Sequence, residues 1–385
     1  MNVKKKIMFV FGTRPEAIKM APVIAVMGKD GAGLEPIVVV TAQHRQMLDQ
    51  VLDLFKIKVD HDLNIMEENQ NPPKILTKSL TGLEKIIDKE KPDMILAQGD
   101  TSTTFAAGLA AYYSRIPLGH VEAGLRTFDK WHPFPEEINR KLTTSLADLH
   151  FAPTQTAVNH LLEEKVPQNS IYLTGNTVID ALLDVVKKDF SLEQAGIKLD
   201  PKKKTILVTT HRRENFGQPL KNICQAAASL AKKHADSIQF VIPVHKNPEV
   251  KKTVHDILSG FNNVMLTQPL AYEPFIHLMK QSYIILTDSG GVQEEAPSLG
   301  KPVLVLREKT ERPEAVDFGT VKLVGLSEEA IFEQTEKLLL SQQEYKKMSQ
   351  SVNPYGDGRA AGRIVDAIKY YFGIVKNKPE EFAVK

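Results

Sequence analysis

The stretch Leu286-Thr-Asp-Ser-Gly-Gly-Val-Gln-Glu-Glu-Ala-Pro-Ser-Leu-Gly300 is the most informative part of this chain, because it joins a predicted strand directly to a predicted helix. Glycines in the turn Ser289-Gly290-Gly291 let backbone N–H groups approach an anion closely. The start of a helix also carries unpaired N–H donors and roughly half a positive charge. Glu294 and Glu295, one turn further on, can accept hydrogen bonds from ribose hydroxyls. The stretch predicts a nucleotide site, although plain strand-to-helix turns also often contain glycine.

Apolar, β-branched runs alternate with helical stretches along nearly the whole chain, which predicts parallel sheets covered by helices on both faces. We therefore expect an α/β protein with two Rossmann-like, doubly wound domains, at 1–174 and 175–358. A last helix at 359–372 is expected to pack back on the first domain. The predicted strands are 7–11, 36–41, 93–98, 117–121, 149–152, 171–173, 205–209, 238–243, 264–267, 283–287, 302–306 and 321–324.

Composition indicates an ordinary globular protein. The chain has 385 residues, of which 42% are hydrophobic and 25% charged, and its net charge of +2 favours neither nucleic acid nor a membrane surface. The single Cys224 excludes an internal disulfide and a Cys-based metal cluster within one chain. No apolar run approaches the roughly 20 residues that span a bilayer, and the first one is too short for a signal peptide. We expect a cytoplasmic protein.

Several familiar motifs are absent or weak. The segment after the first strand has one glycine where a dinucleotide fingerprint needs three, and no Walker motif or zinc-ligand spacing occurs. Asp60-His-Asp62 formally matches an Asp-x-Asp metal motif, but we interpret it as a solvated turn because no predicted strand ends there. We expect neither a metal nor a cofactor.

Polar residues follow many of the predicted strands, where ligands bind in open α/β sheets. We expect the two sets of strand ends to face each other across one interdomain cleft. Arg14 and Lys19 flank a proline-fixed helix start and can balance a diphosphate, although Lys19 can also be a plain surface residue. His211 and Arg212 follow a strand and form either a phosphate clamp or a salt-bridged loop. Arg312 either reaches the same diphosphate or pairs with a neighbouring glutamate.

Four acids are candidates for proton transfer. Asp100 follows a strand, but it can also be the N-cap of the next helix. Glu122 follows an apolar strand, where an uncompensated carboxylate is costly unless it is paired or functional. Glu136 and Glu137 open a helix, where acids are favourable in any case. We expect at least two of these acids to be catalytic.

Eight motifs carry a resemblance over nearly the whole length. They are Gly-Thr-Arg-Pro-Glu-Ala-Ile-Lys (12–19), Gln-Gly-Asp-Thr (98–101), His-Val-Glu-Ala-Gly-Leu-Arg-Thr (120–127), Pro-Phe-Pro-Glu-Glu-Ile-Asn-Arg (133–140), Thr-Gly-Asn-Thr-Val-Ile-Asp (174–180), His-Arg-Arg-Glu-Asn-Phe-Gly (211–217), Asp-Ser-Gly-Gly-Val-Gln-Glu-Glu-Ala-Pro (288–297) and Glu-Arg-Pro-Glu (311–314). In this order they resemble the non-hydrolysing bacterial UDP-N-acetylglucosamine 2-epimerases. The resemblance implies the glycosyltransferase-B arrangement and a homodimer.

The resemblance also assigns residues. Those implied to be catalytic are Asp100, Glu122, Glu136 and His211. Those implied to bind UDP are Arg14, Lys19, Phe275, Ser289, Gly290, Gly291, Glu295 and Arg312. A second UDP-N-acetylglucosamine is implied as an activator, at Gln43, Gln46, Gln70, Glu137, Arg212 and His245. The chain departs from its relatives at Asn69, where they often have arginine, and two following prolines are expected to interrupt the next helix start.

The implied reaction is inversion at C2 of UDP-N-acetylglucosamine through elimination and re-addition of UDP, which supplies cell-surface polysaccharide synthesis. The alternative is a UDP-sugar glycosyltransferase of the same fold, which needs an acceptor. A hydrolysing epimerase and a non-catalytic nucleotide-sugar sensor are further alternatives. The several acids at the strand ends argue against a sensor.

Overall fold

The computed structural model describes residues 4–30, 33–43, 45–67 and 70–384. Its backbone divides into two compact units. Unit 1 extends to Ala181 and resumes over Tyr355–Ala383, and unit 2 comprises Leu182–Pro354. In the part of the chain described, no helix is both long and apolar enough to cross a membrane.

Unit 1 is built on a seven-stranded parallel sheet in the order β3-β2-β1-β4-β5-β6-β7. The strands are β1 Lys5–Phe11, β2 Leu34–Val40, β3 His61–Asp62, β4 Met94–Gln98, β5 Leu118–Val121, β6 Leu149–Ala152 and β7 Ile171–Leu173. The helices are α1 Arg14–Asp30, α2 Arg45–Phe55, α3 Pro72–Glu90, α4 Ser102–Tyr113, α5 Glu136–Leu146, α6 Gln155–Glu163 and α7 Thr177–Val186, which runs into unit 2. Residues 7–11 of β1 are all buried, as expected for a central strand covered on both faces.

Unit 2 contains a six-stranded parallel sheet in the order β10-β9-β8-β11-β12-β13. The strands are β8 Lys204–Thr209, β9 Ile238–Pro243, β10 Val264–Thr267, β11 Ile284–Thr287, β12 Val303–Val305 and β13 Val321–Leu323. The helices are α8 Gln218–Lys233, α9 Pro248–Leu258, α10 Tyr272–Gln281, α11 Gly290–Glu295, α12 Pro313–Asp317, α13 Glu328–Leu340 and α14 Gln342–Ser349. The predicted fold class, two Rossmann-like α/β units, is confirmed.

The last helix, α15 Ala360–Tyr371, lies in unit 1 and packs against α1. The buried Asp180 accepts hydrogen bonds from the backbone N–H groups of Ala360 (3.2 Å) and Ala361 (2.9 Å), the first two residues of α15. This contact ties the first turn of α7 to the C-terminal segment. The division between the units therefore falls inside α7, after Ala181, and not at Thr174 as expected from the sequence.

Two local expectations are wrong. The Asp60–Asp62 segment is not a solvated turn, because His61–Asp62 forms β3 beside β2 and the Asp60 carboxylate accepts the Val38 N–H at 2.9 Å. Pro72 and Pro73 do not interrupt α3. They are its first residues, where a missing N–H costs nothing, and the Asn71 side chain caps them by accepting from the backbone N–H of Lys74.

Candidate active site

The turn after β1 is held together by a buried carboxylate. Glu16 accepts hydrogen bonds from the backbone N–H groups of Gly12 (3.0 Å) and Thr13 (2.7 Å), which closes the start of α1 as a capping box does. It also accepts from the hydroxyls of Thr101 (2.6 Å) and Thr104 (3.2 Å) at the start of α4. Burial raises the pKa of the Glu16 carboxyl, although these hydrogen bonds oppose the shift. These hydrogen bonds therefore connect the turn after β1 to the turn after β4.

Gly12 is required where these two turns meet. A Cβ on this residue would lie 2.0 Å from the Thr41 hydroxyl oxygen and 3.0 Å from that of Thr103. The first distance is shorter than real Cβ contacts, so the Thr41 side chain would have to move, and the second is tighter than most such contacts. Glycine at this point therefore lets the C-terminal ends of β1 and β2 and the start of α4 approach each other.

Asp100 follows β4 and is oriented by α5. Its Oδ2 accepts from Arg140 Nε at 2.9 Å and pairs with Arg140 Nη2 at 2.8 Å, while its backbone carbonyl accepts from Asn139 Nδ2 at 2.9 Å. The N-cap of α4 is Thr101, whose hydroxyl accepts from the backbone N–H of Thr104. The interpretation of Asp100 as a helix cap is therefore wrong.

Glu122 follows β5 in a strained conformation. Its φ is 65°, in the left-handed region that non-glycine residues seldom adopt, and such strain often occurs at functional sites. Its carboxylate pairs with Lys19, accepts from the Gln98 amide, and accepts from Asn176 Nδ2 at 3.0 Å. Lys19 is therefore not a plain surface residue. Glu122 is compensated by a cation and two amides, and its side chain is only 7% exposed.

Glu136 and Glu137 lie side by side at the start of α5 but in different environments. Burial, together with the nearby charge of Asp100, raises the pKa of Glu136, although its own backbone N–H and Arg140 oppose the shift. Glu137 is fully buried; it accepts from two backbone N–H groups of the preceding loop, at 3.0 and 3.1 Å, and from Arg140 Nη1 at 3.2 Å. Glu137 thus fixes the loop before α5, while burial favours the protonated form of Glu136.

The other predicted residues of unit 1 lie around the same sheet edge or near it. Arg14 is half-buried at the first position of α1, and Gln46 is exposed on α2. Gln43 accepts at its backbone carbonyl from Gln70 Nε2 at 2.9 Å, so these two predicted activator residues are in contact. Asn69 lies outside the described residues.

In unit 2 the central contact joins His211 to Asp288. Asp288 follows β11 and is completely buried; it accepts from the backbone N–H groups of His211 (3.0 Å) and Arg212 (3.0 Å) and from Asn215 Nδ2 (2.9 Å). Its Oδ1 also lies 3.0 Å from His211 Nδ1. Burial opposes ionisation, but these hydrogen bonds outweigh it and lower the pKa of Asp288. The half-exposed His211 ring therefore has one nitrogen directed at a carboxylate, which fixes its orientation.

Two arginines flank the glycine turn at the start of α11. A Cβ on Gly290 would lie 3.9 Å from Arg212 Nη2 and 3.9 Å from Arg312 Cζ. Ser289 is the N-cap residue, yet its hydroxyl makes no capping hydrogen bond. Arg312 Nε contacts the carboxylate of Glu294, and its Nη1 donates to the backbone carbonyl of Glu311 at 3.1 Å. Two guanidinium groups thus lie beside Ser289-Gly290-Gly291, each also paired with a glutamate, Arg212 with Glu311 and Arg312 with Glu294.

The remaining predicted residues of unit 2 lie on α10 and α11 and after β9. Glu295 is buried and its Oε1 accepts from the Tyr272 hydroxyl at 2.7 Å. Phe275 is half-buried on the same helix as Tyr272, α10. His245 follows β9, and its Nδ1 accepts the backbone N–H of Asn247 at 3.2 Å.

Sequence reasoning missed the residues that orient these groups. Within the described residues they are Glu16, Gln98, Arg140, Asn176, Tyr272 and Asp288. Several of them stand inside the quoted motifs, so polar residues without an assigned role in those motifs were the available signal. No cluster of three or more metal-binding side chains occurs in the part of the chain that the structure describes.

Comparisons with known proteins agree with each other. A family model described as UDP-N-acetylglucosamine 2-epimerase matches residues 28–369. The UDP-N-acetylglucosamine 2-epimerase of Escherichia coli K12 is 54% identical over 371 residues, which are 94% of this chain and 98% of that protein. The Bacillus subtilis enzyme of the same name is 51% identical over 385 residues, which are 99% of this chain and 100% of that protein. The crystal structure of the Neisseria meningitidis UDP-GlcNAc 2-epimerase bound to UDP-GlcNAc matches with a TM-score of 0.86 and 52% identity, covering 94% of this chain and 99% of that chain.

Proposed function

The chain belongs to the UDP-N-acetylglucosamine 2-epimerase family of isomerases, and from this premise we propose that it interconverts UDP-N-acetylglucosamine and UDP-N-acetylmannosamine by elimination and re-addition of UDP. The C2 hydrogen of the sugar has no adjacent carbonyl group and is therefore weakly acidic. It becomes removable when the bond from C1 to the UDP oxygen breaks. Catalysis then needs groups that hold UDP and groups that move a proton at C2.

The first step of the proposed reaction removes the C2 proton to a carboxylate while the C1–O bond breaks. The electron pair of that bond leaves with UDP, and the electron pair of the C–H bond forms a C1–C2 double bond, which gives a 2-acetamidoglucal. In the second step a proton is added to C2 from the opposite face and the UDP oxygen attacks C1. No atom is gained or lost, so the reaction needs no oxidant, reductant or acceptor.

Unit 2 would hold UDP. Arg312 beside the Ser289–Gly291 turn would carry the diphosphate and stabilise its charge as it departs. Glu295 would accept from ribose, and Phe275 would lie near the uracil. His211, fixed by Asp288, would use its remaining ring nitrogen on the phosphate or the sugar.

Unit 1 would move the proton. The observation that supports the proposal most is the position of three acids, Asp100 after β4, Glu122 after β5 and Glu136 at the start of α5. Their environments differ. Asp100 pairs with Arg140, and Glu122 pairs with Lys19 in a strained conformation. Burial raises the pKa of Glu136 above its ordinary value, and enzymes commonly tune a carboxyl group in this direction for proton transfer.

The resemblance supports four further parts of the proposal. We propose that the protein is a homodimer, that it works in the cytoplasm and that its product supplies cell-surface polysaccharide synthesis. We also propose that a second UDP-N-acetylglucosamine activates it through the residues that the resemblance implies. These are Gln43, Gln46, Gln70, Glu137, Arg212 and His245. Because the carboxylate of Glu137 is already bonded within α5 and its preceding loop, it would act on the activator through that loop.

One incubation separates the candidate functions. The purified chain is mixed with UDP-N-acetylglucosamine without acceptor or metal, and the products are identified by nuclear magnetic resonance. UDP-N-acetylmannosamine in equilibrium with the substrate supports the proposal. Free N-acetylmannosamine with UDP indicates a hydrolysing epimerase, turnover only with an added acceptor indicates a glycosyltransferase, and binding without turnover indicates a sensor.

Asp100→Asn serves as the matched variant in the same incubation. It preserves the size of the side chain and should still bind UDP, because Asp100 is not among the residues assigned to the nucleotide. Product formation should be lost. Turnover equal to that of the unchanged chain would remove Asp100 from the chemistry.

A further inference from the structure

A buried histidine lies between the turns that carry two of the acids. His120 is on β5, its side chain is 1% exposed, and its Nε2 lies 2.7 Å from the carbonyl oxygen of Gly99. The carbonyl can only accept, so Nε2 carries the proton and donates it. The other ring nitrogen, Nδ1, has no hydrogen-bond partner among the described residues. The hydrogen bond to Gly99 is therefore the one polar contact that this ring makes there.

Gly99 is the residue at which the chain turns out of β4 toward Asp100. Its φ is +77°, a conformation that glycine adopts without strain. Its backbone N–H donates to the Val121 carbonyl at 3.0 Å, and its carbonyl accepts from His120. Both polar groups of Gly99 are thus held by β5, and this fixes the direction in which the chain leaves the sheet.

Residues on both sides of this contact belong to the proposed chemistry. Asp100 follows Gly99 directly, and Glu122 is two residues beyond His120. The Gln98 amide, which precedes Gly99, contacts the Glu122 carboxylate. The hydrogen bond from His120 to Gly99 and the contact of Gln98 with Glu122 therefore connect the same two turns. Together they relate the position of Asp100 to that of Glu122.

We propose that His120 is a positioning residue that sets the placement of Asp100 relative to Glu122 through its hydrogen bond to the Gly99 carbonyl. It does not touch the substrate. This inference rests on the proposed function, because it concerns the acids of that reaction. Placement matters at this level because a displacement of about 1 Å in a catalytic group can reduce turnover about 100-fold.

The chemistry of the site explains why histidine suits this position. Burial lowers the pKa of His120 to about 4, so its ring is uncharged at neutral pH. An uncharged ring adds no charge between the acids and their partners, Lys19 and Arg140. A lysine or arginine could reach a carbonyl too, but it would bring a buried charge and perturb the proton affinity of Glu122.

Three variants of the full chain test the proposal. His120→Phe keeps the ring and removes the donor, whereas His120→Gln keeps an N–H donor at nearly the reach of Nε2. His150→Phe is the matched control, because His150 is a buried histidine paired with His120 across β5 and β6 whose Nε2 bonds the Thr144 carbonyl instead. Rates are divided by the number of UDP-binding sites, so that unfolded protein does not count.

We expect kcat to fall about 10- to 100-fold in His120→Phe while KM and the UDP dissociation constant stay unchanged. His120→Gln should recover most of kcat, and His150→Phe should keep the kcat of the unchanged chain although it loses stability. Equal kcat in His120→Phe and the unchanged chain would overturn the proposal. A fall in kcat shared by all three variants would overturn it too, because it would be a general effect of disturbing the sheet.

A measurement on the unchanged protein covers the case in which His120→Phe does not fold. Nitrogen chemical shifts of the labelled imidazole report which ring nitrogen carries the proton. We expect the Nε2–H tautomer at every pH between about 5 and 8. A charged ring or the Nδ1–H tautomer would overturn the proposal without any activity measurement. If the unchanged chain shows the expected tautomer but does not epimerise the substrate, the proposed function fails and the tautomer result stands apart from it.

Discussion

Replacing Asp288 by asparagine tests how unit 2 holds its histidine. The carboxylate is completely buried and accepts from two backbone N–H groups, from the Asn215 amide and from His211 Nδ1. An amide of the same size offers one accepting oxygen and turns an NH2 group toward a donor. At least one hydrogen bond to a charged group is lost, and one buried donor is left facing another donor.

The magnitude follows from these contacts. A hydrogen bond to a charged group contributes about 1.5–3 kcal/mol, and a buried unsatisfied group costs about 1–3 kcal/mol. We therefore expect Asp288→Asn to lower the free energy of unfolding of unit 2 by about 3 kcal/mol. Turnover should fall on the order of 100-fold or more, because the ring of His211 can then adopt the wrong tautomer, as in the aspartate variant of a serine-protease triad.

The assay is chemical denaturation as a function of pH, with Asp184→Asn as the control. Asp184 is more than half exposed, and the control should change stability by less than about 0.5 kcal/mol. Because the pKa of folded Asp288 is lowered below its ordinary value of 3.8, its stabilisation is present at neutral pH and is lost as the pH falls below that value. The difference between Asp288→Asn and the unchanged chain should shrink in acid. A difference below 1 kcal/mol at neutral pH, together with unchanged turnover, would refute the reasoning.

Four further changes give sharp outcomes. Glu122→Gln should abolish product formation and leave UDP affinity unchanged in calorimetry; retained turnover would exclude Glu122 as a base. Arg312→Ala should weaken UDP binding by about 10-fold, equivalent to one charge-assisted contact of about 1.4 kcal/mol, and an unaltered dissociation constant would contradict its role. Burial raises the pKa of Asp180 to about 6, so folding disfavours its charged form. The unchanged chain should lose about 3 kcal/mol of stability as pH rises from about 4 to 6, and Asp180→Asn should lack this dependence. Gly12→Ala should destabilise unit 1 by about 1–3 kcal/mol, because its Cβ would meet a hydroxyl oxygen at 2.0 Å. Gly28→Ala is the control and should stabilise α1, because no atom lies within 4 Å of its Cβ. Equal melting temperatures of the two variants would refute the packing argument.

The strands of both sheets could be predicted because parallel strands buried on both faces are near-continuous apolar runs. The predicted 149–152 and 238–243 agree with β6 and β9 in full. The exception is β3, which has two residues and no apolar run, and which forms because it pairs with Val39 and Val40 of β2. A pairing of that length is decided by the neighbouring strand and leaves no pattern of its own.

Local rules also failed where two of them competed. The consecutive prolines at 72 and 73 indicated an interrupted helix, but proline at a first helical position is favourable when a residue such as Asn71 caps it. Similarly, Asp100 could be interpreted as the N-cap of α4, but the N-cap is the next residue, Thr101. In both cases the neighbouring side chain decided the outcome.

Contacts between side chains distant in sequence could not be predicted from motifs. The ion pair of Lys19 with Glu122 joins residues 103 positions apart, and that of Arg312 reaches Glu294 although Glu311 and Glu314 lie closer in sequence. Which cation meets which carboxylate depends on how the sheet brings strand ends together. The motifs indicated the residue types, and the fold decides their partners.

The breaking of the bond between C1 and the UDP oxygen is the central claim, and positional isotope exchange tests it most directly. UDP-N-acetylglucosamine is prepared with a heavy oxygen isotope in the bridge between C1 and the β-phosphate, and the sugar nucleotide is recovered after partial reaction. If UDP departs, its phosphate can rotate, and we predict that the label moves into non-bridging positions of the β-phosphate. Label that stays in the bridge while UDP-N-acetylmannosamine accumulates would contradict the account.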